Sequence, residues 1–301
     1  MPRISIITPT LNEEKFLPLL LQSIEKQSFK DYEVIIADAG STDKTQKIAR
    51  EYGAKVVPGG MPGPGRNRGA DVATGELLFF FDADVVLPEN FLEKAVLEME
   101  ERFLDLATCE FRPISDLRLD KVMFSISNLV VKLQQDVNPR AAGFCIFITS
   151  RLFRRIGGFD ESLKLAEDHD LVERASKFRP LRVLNNVHVD VSIRRLEKEG
   201  RLALTEKYAR VEWNLLTKGA IRDDVVEYEF GNFDEGNEKA KRALDEIEDR
   251  LINLEKQYDQ FAGEWLTPGK DGKLPGNLLD RFQAGFTALG EGFKTLFSNP
   301  K

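Results

Sequence analysis

Glu76-Leu77-Leu78-Phe79-Phe80-Phe81-Asp82-Ala83-Asp84 decides the reading of the first half of the chain. Its apolar run is far short of the ~20 residues a membrane-spanning helix needs. It suits a strand buried on both faces. Back toward the N-terminus, Ile4–Thr8, Glu33–Ala37 and Lys55–Val57 read as three further strands. Between them, Glu14–Gln27 carries Phe16, Leu20, Leu21 and Ile24 at helical spacing. Ser41-Thr42-Asp43 caps a helix over Lys44–Glu51, which Gly53 stops, and Arg66–Ala73 forms a third helix ended by Gly75. This strand–helix alternation predicts an α/β fold with a mostly parallel sheet flanked by helices. Ligands on such sheets bind beyond the carboxyl ends of the strands. Pro9–Glu14, Asp38–Asp43 and Asp82–Asp84 follow three of those ends, so they are expected to share one cleft.

Toward the C-terminus, Glu93–Phe103 and Leu117–Gln135 read as helices, and Leu106–Phe111, Phe144–Thr149 and Leu181–Ile193 as strands. Past residue 200 the composition changes. Residues 201–236 read as an amphipathic helix (Leu202–Leu216) and an acidic linker. In residues 237–301, Ala240, Leu244, Ile247, Leu251, Leu254, Tyr258 and Phe261 form a heptad seam. A second stripe follows at Leu278, Phe282, Phe286, Leu289, Phe293 and Leu296, giving a helical hairpin or coiled-coil-like tail. The expectation is an α/β domain over residues 1–200 with an α-helical C-terminal extension. The seam predicts a homodimer through these helices, and the phenylalanines of the second stripe leave peripheral membrane contact as the alternative.

With 43 Lys and Arg against 50 Asp and Glu among 301 residues, the net charge is −7, which disfavours nucleic acid as a partner. Two cysteines, Cys109 and Cys145, exclude a disulfide-rich scaffold and a four-cysteine zinc site. Met1–Ile7 moves straight into a strand without a signal-peptide layout. A cytoplasmic location is expected, with the inner face of a membrane as the alternative.

Five groups of residues carry chemistry. In extended chain, Asp82 and Asp84 project to the same side, and their mutual repulsion calls for a cation. Oxygen-only ligands favour Mg²⁺ or Mn²⁺ bridging to phosphate. Gly59–Gly65 allows close backbone approach, and Arg66 and Arg68 add charge for a pyrophosphate. Glu167-Asp168-His169-Asp170 offers carboxylates able to act as a general base. His188, one of two histidines, complements two aspartates as a third metal ligand. Arg194 and Arg195 open a basic segment suited to diphosphate or an anionic lipid head.

Together, Thr8-Pro9-Thr10-Leu11-Asn12-Glu13, Asp38-Ala39-Gly40-Ser41-Thr42-Asp43, Arg66-Asn67-Arg68-Gly69, Asp82-Ala83-Asp84, Gly157-Gly158-Phe159-Asp160-Glu161 and Glu167-Asp168-His169-Asp170-Leu171 resemble the inverting glycosyltransferases of family 2. Six matches in order cover about residues 1–200. The resemblance implies a GT-A fold, with a nucleotide-sugar-binding half over residues 1–100 and an acceptor half over 101–200. It implies that Pro9, Leu11, Glu13, Asp38, Arg66, Asp82, Ala83 and Asp84 bind a UDP- or GDP-sugar. It further implies metal (Mg²⁺ or Mn²⁺) at Asp84 with His188, Asp168 as general base, and Glu167, Arg194 and Arg195 on the acceptor or phosphate side. The acceptor would be a glycan or lipid, offering a hydroxyl or a phosphate. A catalytically silent nucleotide-sugar-binding scaffold and a sugar nucleotidyltransferase are the alternatives. The nucleotidyltransferase needs a glycine-rich loop after the first strand, where this chain has Pro9-Thr10-Leu11-Asn12-Glu13.

Overall fold

The structure is a computed structural model that describes residues 1–163 and 165–201. The helix, linker and hairpin expected from residue 202 onward lie outside the described residues, and so do the dimer and membrane contacts expected of them. Four strands, β1 (Ile4–Thr10), β2 (Tyr32–Asp38), β3 (Lys55–Pro58) and β4 (Leu77–Phe80), alternate with α1 (Leu17–Glu25), α2 (Thr45–Glu51) and α3 (Pro62–Asp71). Then come β5 (Val85–Val86), α4 (Phe91–Glu101), β6 (Leu106–Ile114), α5 (Arg118–Gln134), β7 (Ile146–Thr149), α6 (Ser150–Arg155), α7 (Glu167–Ser176), β8 (Arg182–Ser192) and α8 (Arg194–Glu199).

The strands form one eight-stranded sheet in the order β3-β2-β1-β4-β7-β6-β8-β5. β3, β2, β1 and β4 pair in parallel, as the alternation predicts. The other side is mixed. β7 is antiparallel to both β4 and β6, β8 is parallel to β6, and β5 is antiparallel to β8. Register aligns the strand ends, because Thr10 pairs with Asp38 and Asp38 with Pro58.

Successive side chains of a strand face opposite sides, so β4 feeds two cores. Phe79 and Phe81 pack with α1 and α4, Phe79 lying 4.5 Å from the Phe147 ring. Phe80 points the other way, against Phe153 and Phe159. Cys109 and Cys145 are buried free thiols. At the far end of the described chain, Arg201 binds Asp120 through two hydrogen bonds of 2.6 and 2.8 Å. Asp120 on α5 is fully buried.

α3 begins earlier than the sequence suggests. Pro62 opens it, inside the stretch that reads as a glycine loop. Proline suits the first helical position because its φ is preset and its missing N–H is not needed there. The glycines then let α3 lie on β1: a Cβ at Gly69 would stand 2.4 Å from Ile7 Cγ2, and one at Gly65 would stand 3.3 Å from Pro9 Cβ. This close approach lowers Arg66 onto the sheet.

Gly69→Ala is expected to destabilise the protein by about 1–3 kcal/mol, the usual range for overpacking a core. Helix propensity alone would favour alanine by about 1 kcal/mol. A urea-denaturation midpoint at or above wild type would show that α3 can lift without loss.

Candidate functional site

The carboxyl ends of β1 and β2 build the first wall of the cleft. Asp38 ends β2 and accepts hydrogen bonds from the Thr10 hydroxyl (3.0 Å), the Ser41 hydroxyl (2.6 Å), Ser41 N–H (2.9 Å), Gly40 N–H (3.1 Å) and Gln46 Nε2 (2.7 Å). Burial raises the Asp38 pKa, but these bonds, led by those from Ser41, outweigh it and hold the group below the ordinary aspartate value. Pro9 lies under α3 beside Gly65, and Leu11 is half-buried where the chain leaves β1. Glu13 is buried, and its N–H donates to the Thr45 hydroxyl at 2.7 Å.

Arg66 stands at the centre. Its side chain is 3% exposed, and it donates to Asp82 Oδ1 at 2.8 Å and to Glu167 Oε1 at 2.9 Å. It also lies 5.6 Å from the Phe159 ring centre. Burial alone would lower its pKa, but the charges of Asp82, Glu167 and Asp168 raise it, so the guanidinium stays charged. Arg66 Nε is buried without a hydrogen-bond partner, an uncommon state for a buried donor. The same guanidinium presses on the backbone at Gly143, where a Cβ would come within 2.6 Å of Nη2. Gly143 N–H donates to Asp168 Oδ2 at 2.8 Å, and His169 N–H donates to Oδ1. One arginine therefore gathers Asp82 from the sheet and Glu167 from α7, with Asp168 beside them. Burial, then the neighbouring Asp168, pushes the Glu167 pKa up. Ala166, immediately before α7, has φ 60°, a left-handed conformation uncommon for alanine that aims the helix start at Arg66.

Asp84 forms the other lip. Its N-terminal neighbour Ala83 is buried in the core. Asp84 O accepts from Ser192 N–H at the end of β8. Its Oδ2 accepts from Arg194 Nε at 2.9 Å, and Arg194 Nη1 and Nη2 bind Glu13 Oε2 and Oε1 at 2.6 and 2.8 Å. Arg194 stacks 4.3 Å over the Phe16 ring. Burial raises the pKa of both Glu13 and Asp84, and Arg194 opposes the rise in each.

A divalent cation suits this donor set. Glu13, Asp82, Asp84, Glu167 and Asp168 outnumber Arg66 and Arg194, so negative charge is in excess. Asp82 and Asp84 each keep one oxygen outside the arginine pairs. Among the described residues no three His, Cys, Asp or Glu side chains converge on a metal position. An ion there would complete its shell with ligand phosphates and water, as Mg²⁺ commonly does.

Two expected site residues are placed elsewhere. Register pairs Val85 with Val191 and Val86 with Asp190, which sets Ser192 beside Asp84. His188 lies four residues back along β8, about 13 Å at the usual strand rise. It is not brought to Asp84 as a metal ligand; instead its Nε2 lies 3.7 Å from Asp190 Oδ1. Arg195 turns to its own helix and binds Glu199 Oε1 at 2.8 Å. Arg68 reaches back to the Gly59 carbonyl. Sequence reading gave no role to Asn67, which clasps the loop after α6: Asn67 Nδ2 donates to Phe159 O, and Phe159 N–H donates to Asn67 Oδ1. Gly143 was also passed over, and a glycine just before a strand was its only signal.

Residues 5–156 match the family described as Glycosyl transferase family 2. Among curated relatives, the poly(ribitol-phosphate) β-N-acetylglucosaminyltransferase TarS of Staphylococcus aureus is 30% identical over 179 residues, 56% of this chain and 31% of TarS. The 4,4'-diaponeurosporenoate glycosyltransferase of Staphylococcus haemolyticus is 38% identical over 108 residues, 33% of this chain and 28% of that enzyme. The chain thus spans about a third of the length of these relatives. Of solved structures, S. aureus TarS 1-349 in complex with UDP-GlcNAc superposes with a TM-score of 0.53 at 20% identity, covering 98% of this chain and 82% of that one. The mannosyltransferase PcManGT of Pyrobaculum calidifontis, in complex with GDP-Man and Mn²⁺, gives 0.52 at 17% identity, with coverages of 98% and 86%. These likenesses show the same fold.

Arg66→Met strands Asp82 and Glu167 without a counter-charge. The expected loss is about 3 kcal/mol, the low end for breaking a buried pair because Asp82 is 37% exposed. Chemical denaturation measures it, and a loss under about 1 kcal/mol would put the pair in the class of exposed salt bridges. A second outcome concerns acid. The depressed Asp38 pKa stabilises the fold above the unfolded value of about 3.9, and that contribution fades as pH falls through the lower folded value. The stability gap between wild type and Asp38→Asn should be constant above about pH 5 and shrink below about pH 4. A gap unchanged down to pH 2 would contradict the assignment.

Proposed function

The chain belongs to glycosyl transferase family 2, and we propose that it transfers a sugar from a nucleotide-diphosphate donor to a hydroxyl or lipid-phosphate acceptor with inversion at the anomeric carbon. The curated relatives TarS and the diaponeurosporenoate enzyme are both named as glycosyltransferases, which supports the reaction class. The observation that carries the reading is the Arg66 junction. It sets a general-base candidate, Asp168, next to the sheet-end carboxylates.

The roles follow from position. Asp38, fixed as a carboxylate by five hydrogen bonds, receives base or ribose donors beside Pro9, Leu11 and Glu13. Arg66 sets positive charge beside the diphosphate, and Asp82 faces ribose and sugar while Ala83 anchors the turn in the core behind it. Asp84, with Asp82, would hold a Mg²⁺ or Mn²⁺ ion, which supplies positive charge to the departing phosphate.

Asp168 takes the proton of the acceptor hydroxyl. Its orientation is set by Gly143 N–H on Oδ2 and His169 N–H on Oδ1, so little reorganisation remains when the hydroxyl arrives. The hydroxyl oxygen then attacks the anomeric carbon as the bond to the phosphate oxygen breaks. A single displacement inverts that centre. Glu167, bound to Arg66, keeps the guanidinium facing the leaving group rather than the base.

Asp168→Asn is expected to lower kcat by about 10²–10⁴-fold, the usual worth of general-base catalysis. Nucleotide affinity should stay within about threefold of wild type, since the base acts only in the transition state. Donor turnover measured across UDP-, GDP- and dTDP-sugars, with nucleotide binding by calorimetry, tests both. Wild-type kcat in the variant, or no turnover of any donor by wild type, would overturn the reading.

A further inference from the structure

We propose that Arg194 is a donor-coupled gate on the cation position at Asp84. This rests on the nucleotide-diphosphate reading above and deepens it. The residue bridges two lips that are far apart in sequence, Glu13 after β1 and Asp84 after β4. It makes three charged hydrogen bonds of 2.6–2.9 Å and covers the Phe16 ring, with 13% of its side chain exposed. It therefore stands where an added cation would meet Asp84.

The charges decide the order of events. A divalent ion on Asp84 would sit close to the guanidinium, and like charges in a poorly solvated cleft repel strongly. Displacing Arg194 is costly without a new anion, because leaving Glu13 and Asp84 breaks three charged hydrogen bonds and leaves two largely buried carboxylates without that counter-charge. A nucleoside diphosphate changes that balance. Its phosphate oxygens accept from Arg194 bidentately, in the fork geometry guanidinium favours, and release an Asp84 oxygen. The ion then gains the second Asp84 oxygen, and is spared the facing guanidinium charge, only in company with the donor. Arg194 thereby acts as a positioning residue, coupling metal entry to donor entry so that a free ion does not lock the empty cleft. The neighbouring Arg195 serves as a charge control, since it binds Glu199 instead.

The test is calorimetry on the full chain with MnCl₂ alone, and with UDP, GDP or dTDP in EDTA or in Mn²⁺, corrected for Mn²⁺–nucleotide complexes in protein-free buffer. Wild type should bind Mn²⁺ alone at least about tenfold more weakly than with saturating nucleotide. Arg194→Ala should bind Mn²⁺ alone at least about tenfold more tightly than wild type and keep only the weaker coupling that phosphate ligation of the ion supplies. Arg194→Gln, which keeps a hydrogen-bond donor beside Asp84 without the charge, should behave alike and serves if Arg194→Ala melts early. Arg195→Ala should stay within about threefold of wild type. These results would follow from a differential-affinity gate of about 1.4 kcal/mol or more per tenfold. Tight Mn²⁺ binding by nucleotide-free wild type would overturn the gate, as would Arg194 variants no tighter than wild type or an equal gain in Arg195→Ala. Nucleotide bound equally with EDTA and Mn²⁺ would overturn it too, leaving the donor reading in place. No nucleotide bound under any condition would overturn the donor reading itself.

Discussion

A guanidinium taken out of water needs counter-charges within hydrogen-bond reach, and Arg66 imposes that demand on three separate parts of the chain. Asp82 comes from the end of β4, Glu167 from the first turn of α7, and the backbone at Gly143 closes against the third side. No two of these segments are neighbours in sequence. What holds them together is electrostatic need, and the need arises because glycines let α3 sink onto β1. Close packing of a helix thus becomes the reason that carboxylates from sheet and helix meet. The junction also explains why the site is built from flanking pieces rather than from one loop: Arg66 and Glu167 apart would each carry an unbalanced, largely buried charge.

A second arginine repeats the device on the other side of Asp82-Ala83-Asp84. Arg66 holds Asp82, and Arg194 holds Asp84 together with Glu13. The two carboxylates project from one short stretch, yet each faces its own cation. Their mutual repulsion, which in isolation calls for a metal, is opposed by the two guanidinium groups that face them. The cleft is therefore ready-charged. The guanidinium planes are held in fixed orientations, with the energetic penalty of orienting them met during folding.

Much of this was legible in the sequence, and the failures have physical causes. The apolar runs of β1, β2, β3 and β4 announced a parallel half-sheet, and the carboxylates at their ends announced a cleft, because strand burial and strand-end position are local properties. The start of α3 was not legible: Pro62, Gly63, Pro64 and Gly65 read as a loop, while in context the proline opens the helix and the glycines admit β1. His188 was misplaced because strand register is a pairing property; the composition of β8 does not tell which residue will lie beside Asp84. Arg194 was recognised as a basic residue near a phosphate site, but its partner Glu13 is 181 positions away and no spacing rule connects them. Arg195 reads identically in the sequence, and a single helical step turns it to Glu199. The mixed half of the sheet follows the same logic, since the direction of β7 depends on which neighbour it joins.

The clasp between Asp120 and Arg201 bears on where this unit can be cut. Asp120 has no access to water, and the arginine that neutralises it is the last described residue. The portion matching the family ends at residue 156, before Glu167, Asp168, Arg194 and Arg201 have been reached. A fragment trimmed to that portion would carry half of the Arg66 junction and an orphaned acid under α5. Any excised unit that keeps this fold therefore has to retain residue 201 as its closing staple. Sequence added or removed beyond it departs from one pinned point on α5.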